Sequence, residues 1–469
     1  MSEHILFLTG KLAEKSLHKV LEAMQPAGFT PEVRQIGISV AGLMTADLVR
    51  RRVTDIGPAT QILVPGRCRG DLEGLTAHYG VPVVRGPEEL KDIPQFFGRA
   101  GRPVDLSRYD VLIFAEIVEA SALDVAGILA RAQRYRADGA DVIDLGCLPD
   151  TPFPHLEEAV QELKRRDFRV SVDSLDPADL QRGGRAGADY LLSLTEDTLW
   201  VVDRVSSTPV LIPAQTGDLD SLGRAIGRMR EMGRDFLADP VLDPIHFGFT
   251  ASILRYAEVR RRFPDVPIMM GIGNLTELTE ADTTGMNALL LGIASELRLD
   301  AVLATEVSPH ARTAVREADL ARRIMFAARD ESSLPKGYDR GLTTTHERKP
   351  FPDSADEIAE LARAIKDPSY RIQVSDAGVH LYNRDGLFTG TDAFALYPHV
   401  RVDGDVGHAF YLGVELAHAQ TAWELGKRYS QDEPLDWGVA VKRQAEQTEH
   451  LDGFKAPGPT LSHARRTKS

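Results

Sequence analysis

Between residues 108 and 330, short apolar or β-branched runs alternate with amphipathic helical stretches, and this alternation constrains the fold more than any other feature of the chain. The runs are VLIFAEI from 111, DVIDLG from 141, RVSVDS from 169, YLLSLT from 190, PVLIPAQ from 209, DFLADP from 235, IMMGIGN from 268 and AVLATEV from 301. Each is followed by enough chain for one crossover helix, and the last helix is expected to end near 330. Eight consecutive βα units over about 220 residues match a closed parallel (β/α)8 barrel in number and length. An open doubly wound sheet is the alternative topology. In the seventh helix Met286, Leu289, Leu290, Ile293 and Leu297 fall on one face, as packing against a sheet requires.

If the units close into a barrel, the residues at the carboxyl ends of its strands line one rim. Those residues are polar: Glu116, Asp144, Asp173, Gln215, Asp239, Asn274 and Glu306 at the ends of strands 1, 2, 3, 5, 6, 7 and 8, with Ser193 near the end of strand 4. Any one of them reads equally well as a helix cap or loop acid. Converging on one rim, they would accept hydrogen bonds from a ligand dense in N–H groups, or hold a divalent cation. No HxH pair, and no set of His and carboxylate on adjacent strand ends, argues for a metal, so none is assigned.

The rest of the chain sets bounds. At 469 residues it is too long for one ordinary core. A net charge of -14 disfavours binding to nucleic-acid backbones, which relies on clustered Lys and Arg. No apolar run approaches the roughly 18 residues of a membrane span, and MSEHILFLTG lacks the features of an export signal, so a cytoplasmic protein is expected. Two cysteines, Cys68 and Cys147, suit a reducing compartment, and Cys147 reads as a packed thiol. Residues 1–105 read as a small open α/β domain, 331–355 as a polar linker or long loop, 356–455 as a separate α+β module and 456–469 as a disordered tail. In the module, YRIQVSDAGVHLYNRDGLFTG suggests a meander before a long helix from about 406 to 428. On that helix Tyr411, Glu415 and His418 share a face that reads as packing, not as a metal site.

The segments ADGADVIDLG, RVSVDS with AGADYLLSL, and DFLADPVLDPI together resemble the pterin-binding barrel of dihydropteroate synthases and pterin-dependent methyltransferases. The seventh unit, GIGNLTELTEADTTGMNALLLGIASELRLDAVLATEV, resembles the methyltransferase branch. The resemblance implies that Asp144, Asp173 and Asp239 face a pterin, with Asp239 accepting from N3–H and the 2-amino group, and that Asn274 faces N5. Glu116, Ser193, Gln215 and Glu306 would complete the rim. Several synthase segments are replaced: EIVEASALD, GCLPDTPFP, GIGNLTE and TEVSPHAR stand where an Asn-x-Thr-x-Asp-Ser-Phe loop, a Gly-Glu-Ser-Thr-Arg-Pro-Gly loop, a Ser-Arg-Lys and an Arg-x-His are expected. The usual diphosphate machinery is therefore missing or relocated, and His310 and Arg312 at the start of the last helix are the catalytic candidates for holding that group.

The three-part arrangement resembles dihydropteroate synthase-like proteins of tetrahydromethanopterin-using methylotrophs and archaea. It implies a reduced pterin, tetrahydromethanopterin or a precursor, as ligand. Two functions stay open: a transferase joining a pterin methylene to an arylamine, with magnesium as an option at the leaving diphosphate, or binding of a finished reduced pterin at N5 for one-carbon transfer or as a carrier. Oligomeric state, including a homo-oligomer, is left open.

Overall fold

In the computed structural model, which describes residues 3–88, 90–98, 104–402 and 404–441, the chain forms two compact units. The first is built from Met1–Leu112, Leu291–Ala301 and Ala321–Asp339, the second from Ile113–Leu290, Val302–Leu320 and Arg340–Ser469. The proposed tail lies outside the described residues.

The first unit carries a parallel sheet of β1 (Glu3–Thr9), β2 (Phe29–Gln35), β3 (Gln61–Val64) and β4 (Val83–Arg85), in the order β2-β1-β3-β4. The central strand, HILFLT, is buried on both faces, hence its unbroken apolar run. Leu6 and Leu8 enter one core cluster, Ile5 and Phe7 the other.

The eight strands expected from the alternation follow, all in the second unit but for their residues Leu112 and Ala301: β5 (Leu112–Ile117), β6 (Val142–Gly146), β7 (Val170–Asp173), β8 (Tyr190–Leu194), β9 (Thr208–Leu211), β10 (Leu237–Ala238), β11 (Met269–Gly271) and β12 (Ala301–Thr305). They hydrogen-bond in the order β10-β9-β8-β7-β6-β5-β12-β11. A parallel bridge between Ala238 and Ile268, with Ala238 N–H donating to Pro267 O at 2.9 Å, joins the two ends of that order. The sheet is thus a nearly closed (β/α)8 barrel, and the open doubly wound alternative is set aside.

Helix boundaries follow local chemistry. Asp124, Asp176 and Asp218 each cap a helix by accepting a backbone N–H from its first turn. The helix Pro177–Ala186 begins on a proline and ends where Gly187 adopts φ 104°, a left-handed conformation that favours glycine.

Further along, β13 (Arg371–Ser375), β14 (Gly378–Asn383) and β15 (Gly386–Gly390) form an antiparallel meander. Its two tight turns, Asp376-Ala377 and Arg384-Asp385, lie at the expected Asp-Ala-Gly and Arg-Asp-Gly. The helix Val406–Leu425 covers it, with Tyr411, Leu412, Leu416 and Ala419 packed into one core with Ile372, Val374 and Leu381. It stops at Leu425, short of 428, because Gly426 takes the left-handed conformation. Glu415 on the same face accepts from Tyr429 Oη at 2.6 Å, and Tyr411 Oη donates to Asp432. No described helix is long and apolar enough to cross a membrane.

Candidate functional site

Side chains alternate along a strand, so in each barrel strand every second residue points inward. The register turns that rule into a row of acids. Glu116 pairs with Asp144, Asp144 with Ser171, and Gly146 with Asp173, so Glu116, Asp144 and Asp173 stand side by side on the inner face. Oxygen atoms of the three carboxylates lie within 4.8 Å of one another. Gly146 makes room for this: a Cβ there would sit 2.6 Å from Glu116 Oε1.

Above this row the barrel opens into a cavity of about 560 Å³. Its polar lining includes Glu116, Asp173, Ser193, Asp239, Asn274, Glu277, Thr305 and Ser308, and Leu192, Val210, Ile212, Met269 and Leu303 form apolar walls. Among the described residues that line it there is no Lys, Arg or His.

Two lining residues hold left-handed backbone without being glycine, Ser193 at φ 73° and Val241 at φ 68°. For a β-branched residue such as Val241 this conformation is strained, and strain of this kind gathers at functional sites. Each strained residue serves an acid. The pairing of β8 with β9 slips between Leu191 and Leu194, and the irregularity aims Ser193 Oγ at Asp173 Oδ1, 2.7 Å away. Val241 donates its N–H to Asp239 Oδ1 at 2.7 Å, and the buried Tyr256 Oη donates to the same oxygen at 2.6 Å. Asp239 Oδ2 accepts no hydrogen bond from a described residue and is left for the cavity.

The electrostatics follow from burial and crowding. Burial first, then the charges of Asp173 and Glu277, push Glu116 up to about 8. Burial, with Asp173 and Glu116 beside it, raises Asp144 well above the carboxylate range, against the Ser171 hydroxyl that donates to its Oδ1. Its Oδ2 has no partner among the described residues. Asp173 is raised by burial as well. Asp239 is pushed up by burial to about 6, with Tyr256 and the Val241 N–H opposing. Tyr256→Phe should therefore raise the Asp239 pKa further, so that any ligand needing the carboxylate binds roughly 3- to 10-fold more weakly at pH 7, with the loss largely recovered by pH 8. Calorimetric titration at the two pH values checks this.

Asn274 lies in a short helical turn, Gly273–Thr276, past the end of β11. It is exposed at the cavity mouth, and its Nδ2 donates to Leu242 O at 2.8 Å. Gly271 lies between it and Asp239: a Cβ on Gly271 would stand at ordinary contact distance, 3.8 Å from Asn274 Nδ2 and 4.0 Å from Asp239 Oδ2.

Other candidates lie elsewhere. Glu306 follows the inward-facing Thr305, so alternation turns it to the outer side of the wall. There it is buried, accepts from Arg134 at 2.8 Å and from Val315 N–H at 3.1 Å, and is pushed up by burial to about 7. Gln215 is exposed in the loop after β9, which stops at Leu211. His310 sits in the turn Pro309–Ala311 with Nε2 3.0 Å from Thr276 O, and Arg312 is exposed; neither lines the cavity. Cys147 is pushed up by burial to about 12, which makes it a poor nucleophile.

Ser171, Tyr256 and Glu277 are among the site residues that the sequence alone did not reveal. Ser171 could have been found from period 2 in RVSVDS, two positions before Asp173. Tyr256 sits on the following helix and carries no local signal. Glu277 belongs to Asn274-Leu-Thr-Glu277, a spacing that reads as a capping box, but its carboxylate reaches residues 307 and 308 instead.

Comparison with known proteins adds the following. Residues 3–88 match a family of unknown function, DUF6513. An uncharacterized protein of Methanocaldococcus jannaschii is 25% identical over 520 residues, spanning 91% of this chain and 98% of that one. Among solved structures, Yersinia pestis dihydropteroate synthase with a pterine-sulfa conjugate is 20% identical with a TM-score of 0.37, covering 48% of this chain and 95% of its own. The 7,8-dihydropteroate synthase of Vibrio fischeri is 15% identical with a TM-score of 0.38, covering 48% and 95%. That of Coxiella burnetii in complex with pteroic acid is 17% identical with a TM-score of 0.37, covering 47% and 94%.

Proposed function

We propose that the barrel mouth binds a reduced pterin, held along its amino-pyrimidine edge by Asp239 and at N5 by Asn274. The observation that carries this reading is Asp239 Oδ2, left without a hydrogen bond and facing the Asn274 amide across Gly271. With Oδ1 of Asp239 engaged by Tyr256 and Val241, Oδ2 is offered to N3–H and the 2-amino group, both donors. With Nδ2 of Asn274 committed to the Leu242 carbonyl, its Oδ1 is offered as an acceptor. A tetrahydropterin carries a hydrogen on N5 that the amide oxygen can accept; a bare N5 could take only the second N–H of Nδ2, beside the one that Leu242 O holds. The resemblance of the three-part chain to proteins of tetrahydromethanopterin users supports tetrahydromethanopterin or a precursor as the pterin, and the cavity leaves room for a substituent beyond the bicyclic ring.

Two chemistries are compatible with such a ligand. One-carbon transfer at N5, or carriage of the cofactor, is favoured by the acceptor at Asn274. Condensation of a pterin methylene with an arylamine needs positive charge or magnesium to meet a leaving diphosphate. His310 and Arg312, the candidates for that role, are not among the cavity-lining residues. The row Glu116, Asp144 and Asp173 offers oxygen donors of the type a hard cation takes, and would be the place for magnesium.

Asn274→Ala separates the readings of that residue. It should cost about 1–2 kcal/mol of affinity for a tetrahydropterin and little for an aromatic pterin. Fluorescence or calorimetric titration with both ligands is the test. Equal losses for the two would make Asn274 a loop residue, and failure of the wild type to bind any pterin would end the proposal.

A further inference from the structure

The side of the mouth between β11 and β12 carries a carboxylate that the pterin edge does not use. Glu277, which follows the short turn bearing Asn274, accepts the N–H of Val307 at Oε1 and the N–H of Ser308 at Oε2, both at 2.8 Å. It is half-buried and lines the cavity. Burial works to raise its pKa, but hydrogen bonding by Val307 and Ser308, with the Thr305 hydroxyl, outweighs that and holds it below the ordinary range. Glu277 is therefore a fixed negative charge. It occupies two successive backbone N–H groups that an anionic ligand would otherwise meet.

We propose that Glu277 is a built-in anion that determines specificity: the mouth admits a pterin whose 6-methylene carries a neutral or cationic group and rejects one that carries a diphosphate there. The inference rests on the pterin reading and narrows it. A diphosphate entering here would face the charged Glu277 and would find no cation among the described residues of the lining. It could reach the Val307 and Ser308 N–H groups only by expelling a carboxylate that makes two charge-assisted hydrogen bonds. Repulsion of this kind between partly desolvated like charges is far stronger than in bulk water. The consequence for chemistry is that any reaction at this mouth proceeds without a diphosphate leaving group on the bound pterin.

The test uses the full chain, with Glu277→Ala and Glu277→Gln variants, and three ligands: a 6-hydroxymethyl reduced pterin, its diphosphate ester, and inorganic diphosphate. In the wild type the ester should bind at least about 100-fold more weakly than the alcohol, and the gap should shrink as salt is raised. Glu277→Ala, which frees both N–H groups and removes the charge, should narrow the ratio by about 10-fold or more. Glu277→Gln, nearly isosteric but neutral, should narrow it part of the way and stands in should the alanine variant fold poorly. An ester that binds the wild type as tightly as the alcohol overturns the proposal, and so does a ratio that neither variant changes. If neither pterin binds the wild type, the pterin reading fails, and inorganic diphosphate decides the exclusion by itself. Binding to Glu277→Ala and not to the wild type upholds it; identical behaviour of the two overturns it.

Discussion

Asp239→Asn should weaken binding of a reduced pterin by about 2–4 kcal/mol, roughly 30- to 1,000-fold in Kd, while leaving the fold intact. The size of the loss is set by which oxygen is already engaged. Tyr256 Oη and Val241 N–H both donate to Oδ1, so the amide oxygen of the variant must stay there to satisfy them. The NH2 group is then forced into the position of Oδ2, where the pterin's N3–H and 2-amino groups arrive as donors too. A strong pair of acceptances becomes a donor–donor clash inside a partly desolvated site. The thermal midpoint should move little, because the neutral amide keeps both internal hydrogen bonds and relieves a carboxylate that burial pushes up to about 6. Calorimetry combined with a melting curve checks both halves. Unchanged affinity removes Asp239 from the site; lost affinity with a collapsed melting point makes it structural.

The sequence was informative where a pattern repeats and poor where contacts are long-range. All eight barrel strands were legible because each is a short apolar run bounded by turn residues. The inward position of Glu116, Asp144, Asp173 and Asp239 followed from their place at strand ends. The same rule misplaced two neighbours for a definite reason. Glu306 is one residue past an inward-facing threonine, and a shift of one residue reverses the face. Gln215 is four residues beyond Leu211, the end of β9, where alternation no longer applies. The partners that tune the site were invisible for a different reason. Tyr256 meets Asp239 across 17 residues and Glu277 meets Val307 across 30, by packing alone. The three carboxylates Glu116, Asp144 and Asp173 were legible as rim residues able to hold a divalent cation, but they lie on separate strands, and only the register shows them side by side.

That row predicts how stability depends on pH. Glu116, pushed up to about 8 in the folded chain by burial, Asp173 and Glu277, has an ordinary value of 4.5 when unfolded. Between those limits the folded protein keeps a proton that the unfolded chain has released. The stability contributed by Glu116 is therefore complete below about pH 4.5 and is lost as pH rises through about 8. Asp144 and Asp173, also raised, act in the same direction. Wild-type unfolding free energy should fall by roughly 2–4 kcal/mol from this row between pH 5 and 8. Carboxylates held low by arginine partners, such as Glu258 and Asp367, lose their contribution only in more acid solution and leave this window alone. Groups that do titrate within it, including Glu306 and the buried His380, are common to wild type and variant and cancel in the comparison. Glu116→Gln cannot ionise, so its stability profile should be flatter, and at pH 8 it should be more stable than the wild type. Urea unfolding at pH 5, 6.5 and 8 on both proteins measures the difference. Parallel profiles would mean that Glu116 ionises at no cost inside the barrel, which the carboxylates packed beside it allow only if a cation is bound among them.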